Sequence, residues 1–499
     1  MLTRRVVLSG LLSATAVPVQ AQIAASPRPM PRKGPGQALS VAQETDRIIA
    51  EAGLSGAVAL RLIDARDGRI LLDRDGQRPL PPASVAKSIT AAYALDHLGA
   101  GHRFATRLIA HGPIRDGRLA GDLVLAGGGA PTLDSDGLAE LVAGMQAAGI
   151  RQVGGRFLWW DGALPHIAEI EPGQPDHLGY NPSGSGLNLN FNRGHFSWRR
   201  AEGRVRTEMD ARTGSRLPGV TVIEATVADR AQPIFIHETD SQTGTERWSV
   251  AARALGVGGS LWLPVRDGGA YAADVLRTLA GSAGVDLPAP EKARTDPAGP
   301  AVATVVSAPL HRIAQGMLRH STNLTAEVLG LTASAVRAGG MPVDLAASAD
   351  QMTAWAGDTL GMADSHFADH SGLSGDSRTT PADLCGAYAR LGAAGPLRPL
   401  LRDIGLADPG GRMLPITVAA KTGTLNFVSC LGGYLEPENG PPMIFAIQTV
   451  DPERRAAIPP GQEDNPPGTA LWTRRSRRMQ FDLLRLWGSH AGTDPQLGG

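Results

Sequence analysis

Lysine is the scarce residue type of this chain. Only four of its 48 basic residues are lysines, and two of the four stand in the short segments 84–87 and 421–423. Arginine keeps its proton in proteins, whereas lysine releases it when burial or a neighbouring charge lowers its pKa. A chain that otherwise uses arginine is therefore expected to keep lysine where a proton is transferred.

Other absences exclude whole classes of protein. The formal net charge is zero, so no nucleic acid is expected as a partner. The two cysteines, Cys385 and Cys430, are too few for a disulfide scaffold or a zinc cluster. Both lie in apolar segments, which favours buried free thiols, with a single bridge as the alternative. Beyond the N-terminus no apolar stretch reaches the roughly 18 residues of a membrane-spanning helix, so no integral membrane segment is expected in the mature chain.

The N-terminus has the pattern of an export signal. Arg4 and Arg5 precede an apolar run over residues 6–19 and a cleavage site of small residues. This pattern predicts a signal peptide over 1–21 and a periplasmic or otherwise exported protein. The paired arginines also resemble a twin-arginine signal, which leaves the export route open. Residues 22–40 contain several prolines and predict a flexible lead.

Hydrophobic periodicity separates two outer parts of the chain from a middle part. From about residue 103 to 266, short apolar runs broken by glycine, aspartate and proline indicate a strand-rich region with its own core. The predicted helices are Val41–Ala52, Ser84–Leu98, Tyr271–Ala283, Leu310–Arg319, Leu324–Arg337 and Leu471–Trp487. The predicted strands of the outer parts are Ala57–Ile63, Arg69–Leu72, Pro415–Lys421 and Met443–Val450.

A serine and a lysine three positions apart are the first candidates for chemistry. Ser84 and Lys87 lie on one face of a predicted helix, so the amine can take the proton of the hydroxyl. Free N–H groups at the start of that helix would stabilise negative charge on the reacting oxygens. Ser-x-x-Lys alone is a weak signal, because a capping serine followed by a solvated lysine is the commoner interpretation.

Two further segments carry candidate residues. Ser321-Thr322-Asn323 stands between two predicted helices and, taken alone, is an ordinary N-cap. Lys421-Thr422-Gly423-Thr424 ends a predicted strand, where the glycine allows another backbone to approach closely and the lysine offers a charge for a carboxylate. Taken alone, this segment is a strand end followed by a charged turn.

In chain order, the three segments match the Ser-x-x-Lys, Ser-x-Asn and Lys-Thr-Gly motifs of penicillin-binding proteins and serine β-lactamases. A gap of 237 positions separates Ser84 from Ser321. Such a layout resembles the low-molecular-mass class C penicillin-binding proteins, the D-alanyl-D-alanine carboxypeptidase/endopeptidase family. The segment 369–374, Asp-His-Ser-Gly-Leu-Ser, is similar to that family as well.

The resemblance implies an α/β (α+β) fold. A serine β-lactamase/transpeptidase-like domain, an antiparallel sheet with helices, would be interrupted by a strand-rich inserted region. Its first part would comprise 41–102, the inserted domain or domains 103–266, and its second part 267–499.

The resemblance also implies an activity and a set of catalytic residues. The activity is serine D-Ala-D-Ala carboxypeptidase/endopeptidase action on peptidoglycan stem peptides through an acyl-enzyme, with inhibition by β-lactams. No metal and no cofactor are implied. The implied catalytic residues are Ser84 as nucleophile, Lys87 as its base, and Ser321 and Asn323 for proton relay and substrate positioning.

Substrate-binding residues are implied at the third motif. Lys421 and Thr422 would hold the terminal carboxylate, and Gly423 and Thr424 complete the motif. The backbone N–H groups of Ser84 and Thr424 would form the oxyanion hole.

Three positions depart from the family pattern. Thr322 replaces a usual aspartate, His370 a frequent glycine, and Gly375 a common basic residue. These departures leave the chemistry in place and the fine substrate preference open.

Other enzyme classes lack their motifs here. The sequence contains neither Gly-x-Ser-x-Gly, which a serine–histidine hydrolase would need, nor the His-Glu-x-x-His of metalloproteases. The remaining alternatives are a β-lactamase or esterase of the same fold and a low-turnover wall-binding protein. The oligomeric state is undetermined by the sequence.

Overall fold

The computed structural model contains both helices and strands and describes residues 39–202, 204–464 and 466–491. The predicted signal peptide, 1–21, lies outside the described residues, as does the predicted lead up to residue 38. From Ser40 onward the described chain forms one compact unit.

The described residues contain ten helices. They are α1 (Val41–Ala52), α2 (Ala86–Leu98), α3 (Ser135–Ala147), α4 (Gly268–Ser282), α5 (Leu310–His320), α6 (Asn323–Ala338), α7 (Leu345–Leu360), α8 (Pro381–Leu391), α9 (Pro452–Ala456) and α10 (Thr469–His490). Within the described ranges, none of them combines the length and apolar character needed to cross a bilayer.

Twenty strands accompany these helices in the described residues. The strands that lie before residue 267 are β1 (Ala57–Asp64), β2 (Ile70–Arg74), β3 (Ala105–Ala110), β4 (Ile114–Arg115), β5 (Arg118–Leu119), β6 (Leu123–Gly127), β7 (Gln152–Val153), β8 (Phe157–Trp160), β9 (Arg193–Ala201), β10 (Arg204–Asp210), β11 (Ile223–Ala228), β12 (Phe235–Thr239), β13 (Glu246–Ala251) and β14 (Gly258–Pro264). The later strands are β15 (Pro290–Lys292), β16 (Ala301–Val306), β17 (Arg402–Ala407), β18 (Met413–Leu425), β19 (Val428–Pro437) and β20 (Met443–Val450).

The main sheet is antiparallel and has six strands in the order β17-β18-β19-β20-β1-β2. Because side chains alternate along a strand, Leu60 and Leu62 of β1 pack with α1 and α10 on one face. Ala57 and Ala59 point to the opposite face, where α8 covers the sheet. An antiparallel sheet between helices is the fold predicted for the outer parts of the chain.

The ends of helix α1 are marked in the sequence. Ser40 forms a capping box with Gln43, and Gly53 ends the helix with φ 56°. Trp487 of α10 is fully buried beside this helix, and its Nε1 donates to Thr45 Oγ1 at 3.1 Å. The first and last helices therefore cover the same face of the main sheet.

A second group of helices surrounds α2. Helices α5, α6 and α7 all pack against it, and every residue from Ala86 to Ala94 is buried. A helix that is buried on all sides needs partners for its polar side chains. This requirement determines the surroundings of Lys87.

The middle part of the chain contains four smaller sheets. The largest has the order β15-β8-β6-β3-β16, and three three-stranded sheets have the orders β10-β9-β14, β11-β13-β12 and β4-β5-β7. The five-stranded sheet takes β15 and β16 from beyond residue 266, so it extends past the predicted inserted region 103–266. The domain boundaries remain predictions, and this pairing favours a later end near residue 306.

Several predicted elements need correction. Helix α2 begins at Ala86, because Ser84 lies in a short 3-10 turn that follows Pro82 and an Ala83 with φ 47°. Ser40, the last residue of the predicted lead, is an ordered N-cap. The helices α3, α7, α8 and α9 and the strands β15, β16, β17 and β19 were not predicted.

Candidate active site

The candidate nucleophile stands at the entrance to a buried helix. Ser84 is half-buried in the 3-10 turn, and Lys87 lies in the first turn of α2 with no exposed surface. Lys87 Nζ donates to Ser84 Oγ at 2.9 Å. The three-residue spacing therefore places amine and hydroxyl in direct contact.

Two further acceptors fix the position of the Lys87 amine. Nζ donates at 2.7 Å to Asn323 Oδ1 and at 2.7 Å to the backbone oxygen of Ser371. Burial lowers the pKa of Lys87 to about 8, although the carboxyls of Asp369 and Glu327 act in the opposite direction. The amine is held by three oxygens, and its lowered pKa means that it loses its proton at a lower pH than an exposed lysine does.

The second motif has a strained backbone. Ser321 follows α5 in the left-handed conformation, with φ 58° and ψ 38°, which few residues other than glycine adopt. Thr322 is the N-cap residue of α6, without a capping hydrogen bond from its side chain. The segment therefore does contain the N-cap residue of α6, at Thr322, but no side chain caps the helix there and Ser321 belongs to the end of α5.

The third motif contributes a second buried amine. Lys421 Nζ donates to Ser321 Oγ at 3.0 Å and to the backbone oxygen of Thr422 at 2.7 Å. Burial, with repulsion from Lys87, lowers the pKa of Lys421 to about 7. Among the described lysines only Lys292 forms an ion pair with a carboxylate, so neither site lysine has a carboxylate partner in the described residues.

Gly423 is required by a close approach of two backbones. A Cβ at this position would lie 2.6 Å from the backbone oxygen of Pro82 and 3.0 Å from the backbone nitrogen of Ser84. Strand β18 and the nucleophile turn therefore touch at this residue, as the glycine predicted, but the predicted strand end at Lys421 is wrong because β18 continues to Leu425. The contact brings the third motif against the first.

A pocket of about 330 Å³ joins these elements, and we call it the nucleophile pocket. It is lined by Ser84, Ser321, Asn323 and Thr424, with Tyr180 contributed by the middle part of the chain. The two site lysines are buried and do not line this pocket. Lys87 donates hydrogen bonds to two of its lining residues, Ser84 and Asn323, and Lys421 donates one to Ser321. The side chain of Thr422 is exposed at the end of the motif and is not part of this lining.

The turn that follows α7 shapes the floor of the site. Asp369 accepts the N–H groups of Gly372 at 2.5 Å and of Ser374 at 2.6 Å. Gly372 has φ 69°, and a Cβ there would lie 2.0 Å from the backbone oxygen of Ala83. This packing presents the backbone oxygen of Ser371 to Lys87.

Sequence reasoning missed Glu327, which lies one helical turn after Asn323 on α6. Its side chain is completely buried, and Oε2 accepts the N–H of His370 at 3.0 Å. Burial, reinforced by Asp369, raises its pKa well above the usual range. The available signal was a glutamate on the buried face of α6, spaced to lie beneath the second motif.

The predicted cysteine state agrees with the structure. Cys385 and Cys430 are buried free thiols. Their sulfur atoms lie near different backbone oxygens, those of Arg61 and Pro81.

The fold and the site define a class of protein. A β-lactamase/transpeptidase-like fold with a half-buried serine bonded to a buried lysine at the head of a central helix is that of serine hydrolases acting by acyl transfer. Comparison with known families gives the assignment within this class. Residues 41–459 match the D-Ala-D-Ala carboxypeptidase 3 (S13) family, and the chain belongs to that family.

Two curated relatives bear related names. A D-alanyl-D-alanine carboxypeptidase of Actinomadura sp. (strain R39) is 39% identical over 125 residues, which span 24% of this chain and 23% of that protein. A carboxypeptidase of Mycobacterium tuberculosis is 29% identical over 415 residues, which span 79% of this chain and 76% of that protein.

Solved structures agree on the fold. Penicillin-binding protein 4 from Haemophilus influenzae is 18% identical with a TM-score of 0.72, over 89% of this chain and 98% of that one. A β-lactam complex of the same protein has a TM-score of 0.67 at 18% identity and the same coverage. The solved structures confirm the predicted fold class, and the family match confirms the predicted family, enzyme class and D-Ala-D-Ala carboxypeptidase function.

Proposed function

We propose that Ser84 is the nucleophile of this family member and that Lys87 is its base. Neutral Lys87 takes the proton of Ser84 as Oγ attacks the carbonyl carbon of a D-alanyl peptide. The peptide C–N bond then breaks, the leaving amine gains a proton, and an ester remains on Ser84. Water hydrolyses this ester and restores the serine.

The hydrogen bonds at the site support separate roles for the other motif residues. Ser321 bonds to Lys421 and can pass a proton toward the leaving amine, while Asn323 positions Lys87 and the substrate. Lys421 would hold the carboxylate of the leaving residue; the same role for Thr422 rests on the motif alone, because its side chain lies outside the pocket lining. The N–H groups of Ser84 and Thr424 would stabilise the oxyanion.

One observation carries the proposal. The Lys87 amine lies 2.9 Å from Ser84 Oγ, completely buried and without a carboxylate partner among the described residues. A lysine kept in such a place loses its hydration without an ion pair in return. Its readily lost proton is the property that a general base needs.

A fluorescent penicillin tests the proposal directly. The unmodified protein and its Ser84→Ala variant are incubated with the reagent and resolved on a denaturing gel, and circular dichroism checks that both are folded. A stable label on the unmodified protein alone is the expected result. Equal labelling of folded Ser84→Ala would refute Ser84 as nucleophile, and antibiotic hydrolysis without a stable label would favour a β-lactamase.

We also propose that the mature enzyme acts outside the cytoplasmic membrane, on peptidoglycan peptides, and that β-lactams acylate it. The apolar run over 6–19 with its preceding arginines supports export. N-terminal sequencing of the protein from a periplasmic fraction is expected to give Gln22 as the first residue. Recovery of an uncleaved chain from the cytoplasm would contradict the export proposal.

A further inference from the structure

A second pocket lies beside the second motif, and the proposed reaction does not use it. This pocket, which we call the Arg193 pocket, has a volume of about 130 Å³. It shares Tyr180, Ser321 and Asn323 with the nucleophile pocket, and Phe191 and Arg193 line its other side. No aspartate or glutamate is among its lining residues.

Arg193 brings an unpaired positive charge to this pocket. Its guanidinium lies between two aromatic rings, 5.4 Å from the centre of Phe191 and 5.5 Å from that of Trp262. No described residue forms a hydrogen bond or an ion pair with its side chain, and its Nε is buried without a partner. Burial lowers the pKa of Arg193, and no carboxylate opposes that effect.

Aromatic rings satisfy only part of what a guanidinium requires. Their faces attract its charge, but its five N–H groups still need acceptors in the plane of the group. A carboxylate supplies two such acceptors in matching geometry, and the bond is strong in a partly buried site. An arginine held between rings, half-buried and free of acids, is therefore prepared for a carboxylate from a ligand.

The position of the pocket indicates which part of the substrate carries that carboxylate. Ser321 lies in both pockets and accepts a hydrogen bond from Lys421, the residue proposed to hold the carboxylate next to the scissile bond. The Arg193 pocket thus begins on the leaving side of the reaction. A single leaving D-alanine has no second carboxylate to place there, whereas a leaving peptide has its own C-terminal carboxylate.

We propose that Arg193 binds a second carboxylate on the leaving fragment and so favours cleavage of cross-linked peptides over removal of a single D-alanine. This inference rests on the proposed function, because it assigns the leaving side from the role of Lys421. It makes Arg193 a specificity-determining residue of the endopeptidase reaction.

Paired substrates test this inference. The kcat/KM values for a cross-linked peptide dimer and for a linear D-Ala-D-Ala peptide are measured with the unmodified enzyme, Arg193→Gln and Arg200→Gln. Arg200 is an exposed arginine of the same strand, β9, and serves as the matched control. The ratio of the dimer value to the linear value is expected to fall at least about tenfold in Arg193→Gln alone. An unchanged ratio in Arg193→Gln would overturn the proposal.

Changing the substrate tests the same contact without any variant, in case Arg193→Gln does not fold. Amidation of the C-terminal carboxylate on the leaving peptide of the dimer is expected to lower kcat/KM of the unmodified enzyme at least about tenfold. Equal values for the acid and the amide would overturn the proposal.

A binding measurement separates this inference from the proposed function. The peptide amine released from the dimer is titrated calorimetrically into the Ser84→Ala variant, with Arg193 intact or replaced by glutamine. Weaker binding without Arg193 supports the subsite even if penicillin labelling and linear-peptide hydrolysis both fail, whereas equal binding refutes it. Failure of those two activities in the unmodified protein would count against the nucleophile assignment instead.

Discussion

Two buried lysines with opposite protonation requirements determine how acylation by penicillin should depend on pH. The pKa of Lys87 is lowered to about 8 and that of Lys421 to about 7. Lys87 has to be neutral to accept the proton of Ser84, so acylation slows as the pH falls below about 8. Lys421 has to be charged to hold a carboxylate, so acylation also slows as the pH rises above about 7.

The fraction of molecules with neutral Lys87, multiplied by the fraction with charged Lys421, gives the size of the change in the acylation rate. The second-order rate constant for acylation is expected to follow a bell-shaped profile with its maximum near about pH 7.5. At pH 6 and at pH 9 the rate constant is expected to be about sixfold lower than at the maximum.

Rapid labelling with a fluorescent penicillin between about pH 5.5 and 9.5 measures this profile. In the variant Lys421→Arg the charge persists at every pH, so the alkaline decline should disappear while the acid decline remains. A profile without the acid decline would refute Lys87 as the base. An alkaline decline that persists in Lys421→Arg would show that another group is responsible, and circular dichroism across the range controls for unfolding.

Three further predictions concern packing. Gly423→Ala places a methyl group 2.6 Å from the backbone oxygen of Pro82, so the acylation rate should fall about 100-fold in a folded protein. A normal acylation rate would contradict the contact between β18 and the nucleophile turn. Trp487→Ala should lower the free energy of unfolding in urea by about 3–5 kcal/mol, with a smaller loss in Trp487→Phe, and an equal loss in both would contradict cavity formation. Cys385 and Cys430 should resist iodoacetamide at about pH 8 until the protein is denatured, because burial raises the pKa of each thiol. Reaction of these thiols in the native protein would contradict their burial.

Some elements could be predicted because their signals are local. Helix α1 has the predicted bounds, Val41–Ala52, since Ser40 and Gly53 mark its ends. Strand β20 also has the predicted bounds, Met443–Val450, because an apolar run over 443–447 is followed by the β-branched residues Thr449 and Val450. The motif residues are close in the structure, although their catalytic roles stay predictions.

Helix α3 shows why other elements were not predicted. It begins after Asp134, which caps it, but Gly137 and Gly144 lower its intrinsic helix propensity. A Cβ at Gly144 would lie 2.7 Å from the Cβ of Ala303 in β16. The glycine that obscures the helix in the sequence is thus required by a strand far along the chain.

Some residues of the candidate site could not be predicted from local sequence signals either. Glu327 and Arg193 belong to no short motif, and their surroundings come from remote segments. The side-chain carboxylate of Glu327 accepts the backbone N–H of His370, and Arg193 lies against Trp262. Such contacts depend on tertiary packing, which the spacing of the motifs does not specify.

The pairing of β1 with β20 joins the two ends of the catalytic domain, and this has a consequence for biosynthesis. Ala57 pairs with Val450, so an N-terminal fragment has an unpaired edge on β1 until the last strand is made. Such a fragment contains Ser84 and Lys87 but lacks Lys421 and the strand that meets the nucleophile turn. On the proposed role of Lys421, an incomplete chain is not expected to carry out the reaction, and covalent labelling by penicillin would report the completion of folding as well as the presence of the serine.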